Sequence, residues 1–242
     1  MTGAAHLGAL VVNSSTPLWY TTRATGLVAM VLLTGSMALG LLSWIGVDRP
    51  TWPRFVTLAL HRNVALLALT FTVVHVLTTV LDSFVAIPLP EAFIPFISSY
   101  RPFWLGLGAI SFDLMLALIV TSLLRARFGQ TTWRLVHWTA YACWPVAIVH
   151  GLGTGTDTRV RWVLLLTACC VLVIVGLTLW RLVVTWSYRP VATVTGVLVL
   201  VVSIIVVGAW LQAGPLSPGW SHRSGTHTSQ PTKPAAARGS VR

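Results

Sequence analysis

The chain has 242 residues, of which 55% are hydrophobic and 9% charged, where an average soluble domain carries about a quarter charged residues. That balance excludes a soluble enzyme or regulator and makes the fold class an all-α integral membrane protein. The formal net charge of +11 is arginine-dominated and sits in loops and tail, where it sets orientation and meets lipid headgroups, so nucleic acid is excluded as a partner.

Residues 1–23 read as a short N-terminal segment. Its apolar run, Leu7–Val12, is too short for a signal peptide and follows no basic stretch, so targeting falls to the first, uncleaved helix. Six apolar segments of spanning length follow within 24–212: Ala24–Val47, Arg54–Leu81, Trp104–Leu124, Thr132–Leu152, Arg161–Val184 and Val191–Gln212. Trp19, Trp44, Trp52, Trp104, Trp133, Trp162, Trp186 and Trp210 lie near their ends, as an interfacial aromatic belt requires. Asp48-Arg49-Pro50, Gly129-Gln130 and Arg189-Pro190 read as turns. Between the second and third segments, Phe84–Phe103 is rich in proline yet largely apolar. It is expected to fold against the membrane surface, either as a lid over an outer cofactor or as an interfacial connector. Cys143, Cys169 and Cys170 fall in apolar runs without a C-x-x-C and read as small hydrophobes. Residues 213–242 form a basic tail rich in Ser, Gly, Thr and Pro, expected to be disordered, and its His222 and His227 read as solvated.

Loops joining the odd segments to the next even ones carry Arg49, Arg54, Arg125, Arg127, Arg134, Arg181 and Arg189 against Asp48 alone. The opposite side has Arg23, Arg101, Arg159 and Arg161 with Asp82, Glu91 and Asp157. The positive-inside rule puts the first set in the cytoplasm and both termini outside, in a multi-pass cell-membrane protein.

Four histidines lie within apolar segments: His61 and His75 on the second, His137 and His150 on the fourth. Ionisable residues inside a membrane are rare and are functional by default. Fourteen residues separate the first pair and thirteen the second, which is roughly 20 Å of helix at 1.5 Å per residue. The two segments run in the same direction, so depth pairs His61 with His137 and His75 with His150. Fourteen residues close four turns of a gently supercoiled helix. Thirteen close them less well, and Pro145 is expected to bend the segment and re-aim a ring. Two layers of facing imidazoles are what two stacked b-type haems, each held by two histidines, require. Zinc is a poor fit, since each layer offers only two histidines. A proton relay has Asp113 as its one acidic candidate. Histidines acting as interhelical polar contacts are the competing reading for any single position. Arg62 and Arg134 neighbour the inner pair, and Arg101, Arg159 and Arg161 the outer one; each is a candidate for a haem propionate or a topology residue. Gly26, Gly35, Gly40, Gly106 and Gly108 would admit either a porphyrin or a neighbouring helix at close range.

The segments HRNVALLALTFTVVH, from His61 to His75, and TSLLRARFGQTTWRLVHWTAYACWPVAIVHGLGTGTD, from Thr121 to Asp157, resemble the ferric reductase-like transmembrane domain family. That family includes the haem-bearing membrane parts of NADPH oxidases and ferric reductases, and the related haem subunit of periplasmic methionine sulfoxide reductase. The second segment is most like short actinobacterial members. The resemblance covers roughly the first five segments and implies two haem b, with His61, His75, His137 and His150 as iron ligands and no catalytic residue. In the oxidases the same spacings fall on the third and fifth helices, as if this chain lacked the first helix. The sequence holds no G-x-G-x-x-G unit or flavin-sized domain, so the resemblance implies an oxidoreductase component served by a separate donor, a flavoprotein or quinol. The implied acceptor is extracytoplasmic, either ferric iron or an FMN- or other cofactor-bearing protein. A haem-free transporter or scaffold, and a dedicated haem subunit of one partner reductase, are the alternatives.

Overall fold

A computed structural model of the chain describes residues 17–45, 53–82, 87–154, 160–186 and 190–217. The Asp48–Pro50 turn, Trp52, Phe84, Asp157, Arg159, Arg189, residues 1–16 and the tail with His222 and His227 lie outside them. The described residues form helices α1 (Pro17–Ile45), α2 (Arg54–Leu81), α3 (Pro102–Leu123), α4 (Arg125–His137), α5 (Ala140–Thr154), α6 (Arg161–Thr185) and α7 (Pro190–Ala213), with a 3₁₀ turn at Leu89–Ala92. No strand occurs among them. Helices are the expected outcome, because backbone polar groups in hydrocarbon must pair within their own segment. Hydroxyls inside these helices follow the same rule: Thr25, Thr34, Thr72 and Thr167 each donate to the carbonyl four residues earlier.

Among the described residues five helices are long and apolar enough to cross a membrane: α1, α2, α3, α6 and α7. The fourth predicted segment, Thr132–Leu152, is divided between α4 and α5. One local feature precedes it and a second divides it. Gly129 adopts φ 74°, ψ 163°, a break inside α4 that only glycine takes without strain, at the turn expected there. At Trp138–Thr139 the bonding tightens, with Thr139 N–H donating to Val136, Tyr141 to Trp138 and Ala142 to Thr139, all i→i−3. This tightening lies in the turn before Pro145, whose ring crowds the Tyr141 carbonyl and has no N–H to offer it. The first helix also begins earlier than predicted, at Pro17, so Trp19 and Arg23 lie inside it, the guanidinium 4.0 Å from the indole centre.

Helix α1 is the hub, packing on α2 most extensively and on α5 and α6 as well. Helix α3 packs on α5, α4 and, less, on α2. The α2 and α4–α5 segments thus face each other across a space walled by α1 and α3. One core cluster joins Leu41, Trp144, Ile148, Leu152 and Ile174; a second joins Phe112, Met115 and Cys143. Buried polar bonds stitch the helices together: Trp144 Nε1–H donates to Thr34 Oγ1 at 2.9 Å, and Cys143 Sγ approaches the Ser111 carbonyl at 3.3 Å. Helix α7 is peripheral, resting on α6 and touching α3 through Trp210 and Trp104, whose rings are 5.5 Å apart.

The apolar connector between α2 and α3 folds back onto α3. Phe93 packs on Phe112 at 5.5 Å, and Phe96 sits over Gly106, where any side chain would collide with it. Arg101 closes the connector in a left-handed conformation and is buried, donating from Nη1 to the Thr154 carbonyl at 2.9 Å. That bond ties the connector to the last turn of α5.

Candidate functional site

The four histidines predicted from sequence lie on the helices that face each other across this space. His61 and His137 are in direct contact, with ring centres 6.2 Å apart and planes inclined at 74°. His75 and His150 lie further along the same two segments, fourteen and thirteen residues on. The thirteen-residue spacing has a physical resolution. Each residue of an i→i−3 turn advances about 120° rather than about 100°, so the tightened stretch at Trp138–Ala142 recovers part of the rotation that thirteen residues lack.

Three of the imidazoles are held in one way. His61 Nδ1 lies 2.8 Å from the Ser36 carbonyl, with Ser36 Oγ at 3.4 Å. His75 Nδ1 lies 2.7 Å from the Thr22 carbonyl, and His150 Nδ1 lies 2.8 Å from the Trp104 carbonyl. A carbonyl only accepts, so each Nδ1 carries the proton and donates it. Nε2 is then left with its lone pair, as a metal-ligating nitrogen must be. Ligating histidines almost always donate their other N–H to a carboxylate, carbonyl or water. His137 departs from this pattern. Its Nδ1 is buried without a hydrogen-bond partner, and its ring stacks on Trp133 at 4.9 Å and 24°.

These residues fit a haem in the chemistry of their donors: the protonation pattern frees Nε2 on three of the four rings as a nitrogen that iron would accept. Among the described residues no three of His, Cys, Asp and Glu gather at one point.

Other predicted residues are placed less tellingly. Arg62 and Arg134 are exposed beside the inner layer, and Arg161 is exposed at the start of α6. Asp113 lies in α3, half-buried. Sequence reasoning missed a cluster at the inner end: Arg181 donates to the Tyr141 hydroxyl and stands 4.1 Å from the centre of Trp44. It also missed the three acceptor carbonyls. A signal for two of them was available, because Gly26 and Gly40 repeat on α1 the fourteen-residue interval of His75 and His61.

A family model described as ferric reductase like transmembrane component matches residues 25–148. The match takes in α1 to α4 and most of α5, includes His61, His75 and His137, and stops two residues before His150. Searches of curated proteins and of solved structures give no match.

Proposed function

The chain belongs to the ferric reductase-like transmembrane component family, and from that premise we propose that it carries electrons across the membrane by means of two b-type haems. His61 and His137 hold one, His75 and His150 the other. The observation that supports this reading best is the common state of three partly buried imidazoles: Nδ1–H is committed to a backbone carbonyl and Nε2 is free. A haem held by these histidine pairs would supply one-electron redox chemistry.

The chain's own part is placement and insulation. In this reading the α4 residues after Gly129 and α5 together make a sixth crossing, so the six-helix bundle presents one histidine pair to each leaflet. Buried apolar residues such as Phe112, Met115 and Ile148 keep the surroundings of low dielectric between the layers. The exposed guanidiniums of Arg62 and Arg134 are candidates for propionates at the inner side. Arginine asymmetry puts His61 and His137 toward the cytoplasm of a cell-membrane protein with both termini outside. The donor is then a cytoplasmic flavoprotein or a quinol, and the acceptor an extracytoplasmic ferric ion or a cofactor-bearing protein.

Replacing His75 by alanine is the direct test. The purified variant is expected to keep one haem per chain, with the inner centre's spectrum retained. Two full haems with unchanged spectra in His75→Ala would overturn the pairing. Wild-type protein from haem-replete cells with no Soret band would favour histidines acting only as interhelical contacts.

A further inference from the structure

Each of the three carbonyl-bonded imidazoles also lies against a glycine of the neighbouring helix. A Cβ added at Gly26 would stand 3.0 Å from His75 Cε1 and Nδ1. One at Gly40 would stand 3.4 Å from His61 Cε1, and one at Gly108 only 2.5 Å from His150 Cε1 and 2.7 Å from its Nδ1. The acceptor carbonyls belong to Thr22, Ser36 and Trp104, each four residues before its glycine. In an α-helix that carbonyl already accepts from the glycine's own N–H. The imidazole therefore reaches its second lone pair by passing over the surface a Cβ would cover. The same unit, a carbonyl with glycine one turn on, recurs twice on α1 and once on α3. Among the described residues it is missing at His137, the one of these four histidines whose Nδ1 finds no acceptor.

We infer that Gly26, Gly40 and Gly108 are positioning residues that bare the Thr22, Ser36 and Trp104 carbonyls to His75, His61 and His150, fixing each imidazole as the Nδ1–H tautomer with Nε2 directed into the space between the helices. The assignment of Nε2 to iron rests on the reading above; the tautomer and its dependence on glycine do not. Ordinary helix packing is the bland explanation, and the chain supplies its control. Gly35 lies on α1 between the two units, and a Cβ there meets only Val64 of α2, at an ordinary 3.7 Å.

Two readouts on the full-length protein in detergent test the inference. The first is ¹⁵N spectroscopy of the histidine rings in protein prepared without haem. It is expected to show three hydrogen-bonded Nδ1–H imidazoles in the wild type and in Gly35→Ala, with one of them lost in Gly40→Ala and a different one in Gly26→Ala or Gly108→Ala. The second is a redox titration of haem-loaded protein. A carbonyl on Nδ1–H raises ligand basicity and favours the ferric state, so each glycine variant should raise one of two midpoints and leave the other in place. Gly40→Ala should raise the midpoint assigned to the His61 haem, and Gly108→Ala that of the His150 haem. Gly26→Ala, whose Cβ would meet His75 at 3.0 Å, keeps the test open where Gly108→Ala does not fold. Unchanged tautomers and midpoints in Gly26→Ala, or equal changes in Gly35→Ala, would overturn the inference. Failure of wild-type protein to take up haem, with the three Nδ1–H bonds present and glycine-dependent, would overturn only the haem reading and would support the positioning role.

Discussion

His137 stands apart from the other three histidines, since its Nδ1 has no acceptor and its orientation rests on stacking against Trp133. Partners of the non-ligating nitrogen are commonly worth 10–100-fold in metal affinity. The inner centre should therefore release haem about ten-fold faster than the outer one. Haem capture by an excess of a soluble acceptor, comparing His75→Ala (inner centre only) with His61→Ala (outer centre only), checks this; equal rates would mean that the carbonyl bonds add nothing. A second residue-scale prediction concerns Trp144, whose indole N–H donates to Thr34 inside the core. Trp144→Phe keeps the ring and loses the bond, and should cost about 1 kcal/mol, the usual scale for a buried interhelical hydrogen bond. Thermal unfolding in detergent reads it as a lowered midpoint with haem content unchanged. At this scale the histidines were legible in the sequence, because an ionisable group in an apolar run stands out and its depth follows from residue count. Their acceptors were not. Which carbonyl an imidazole meets depends on how α1 and α3 are rotated against their neighbours, and spacing along one helix carries no information about that rotation.

Among the elements, α2 follows its predicted bounds, Arg54–Leu81, without change, since an uninterrupted apolar run has only one way to satisfy its backbone. The fourth segment did not transfer so simply. The turn at Gly129 was readable from glycine itself, and the bend was readable from Pro145. The i→i−3 tightening at Trp138–Thr139 was not readable, because three- and four-residue bonding differ by little intrinsic energy and packing decides between them. Pro145→Ala restores a donor to the Tyr141 carbonyl and favours regular α geometry through Thr139. It should turn His137 and His150 out of a common direction, reducing bound haem while far-UV helicity stays level or rises. Full haem retention would show that the tightened turn does not aim these rings. The connector between α2 and α3 is tied down by Arg101, which reaches the last turn of α5 four residues beyond His150. Arg101→Ala should loosen it and speed proteolysis within 87–101 in the detergent-purified protein; an unchanged cleavage rate would count against that anchor.

At the scale of the whole molecule, basic residues are unevenly placed along the sequence, and the proposed orientation rests on that asymmetry. Cysteines engineered at the exposed Ser99, in the connector between α2 and α3, and at the exposed Gln130, beside the Gly129 turn, should react with a membrane-impermeant thiol reagent from opposite sides. The native Cys143 and Cys170 are buried, and replacing Cys169, the exposed one, removes the background. Labelling of Gln130→Cys in intact cells would reverse the assigned orientation. The central claim, that this bundle holds two haems between paired histidines, is met most directly by the haem-to-protein ratio of the purified wild-type chain, measured with its reduced-minus-oxidised spectrum. The account predicts two b-type haems per chain. A chain that folds, keeps its helices and binds none would contradict it.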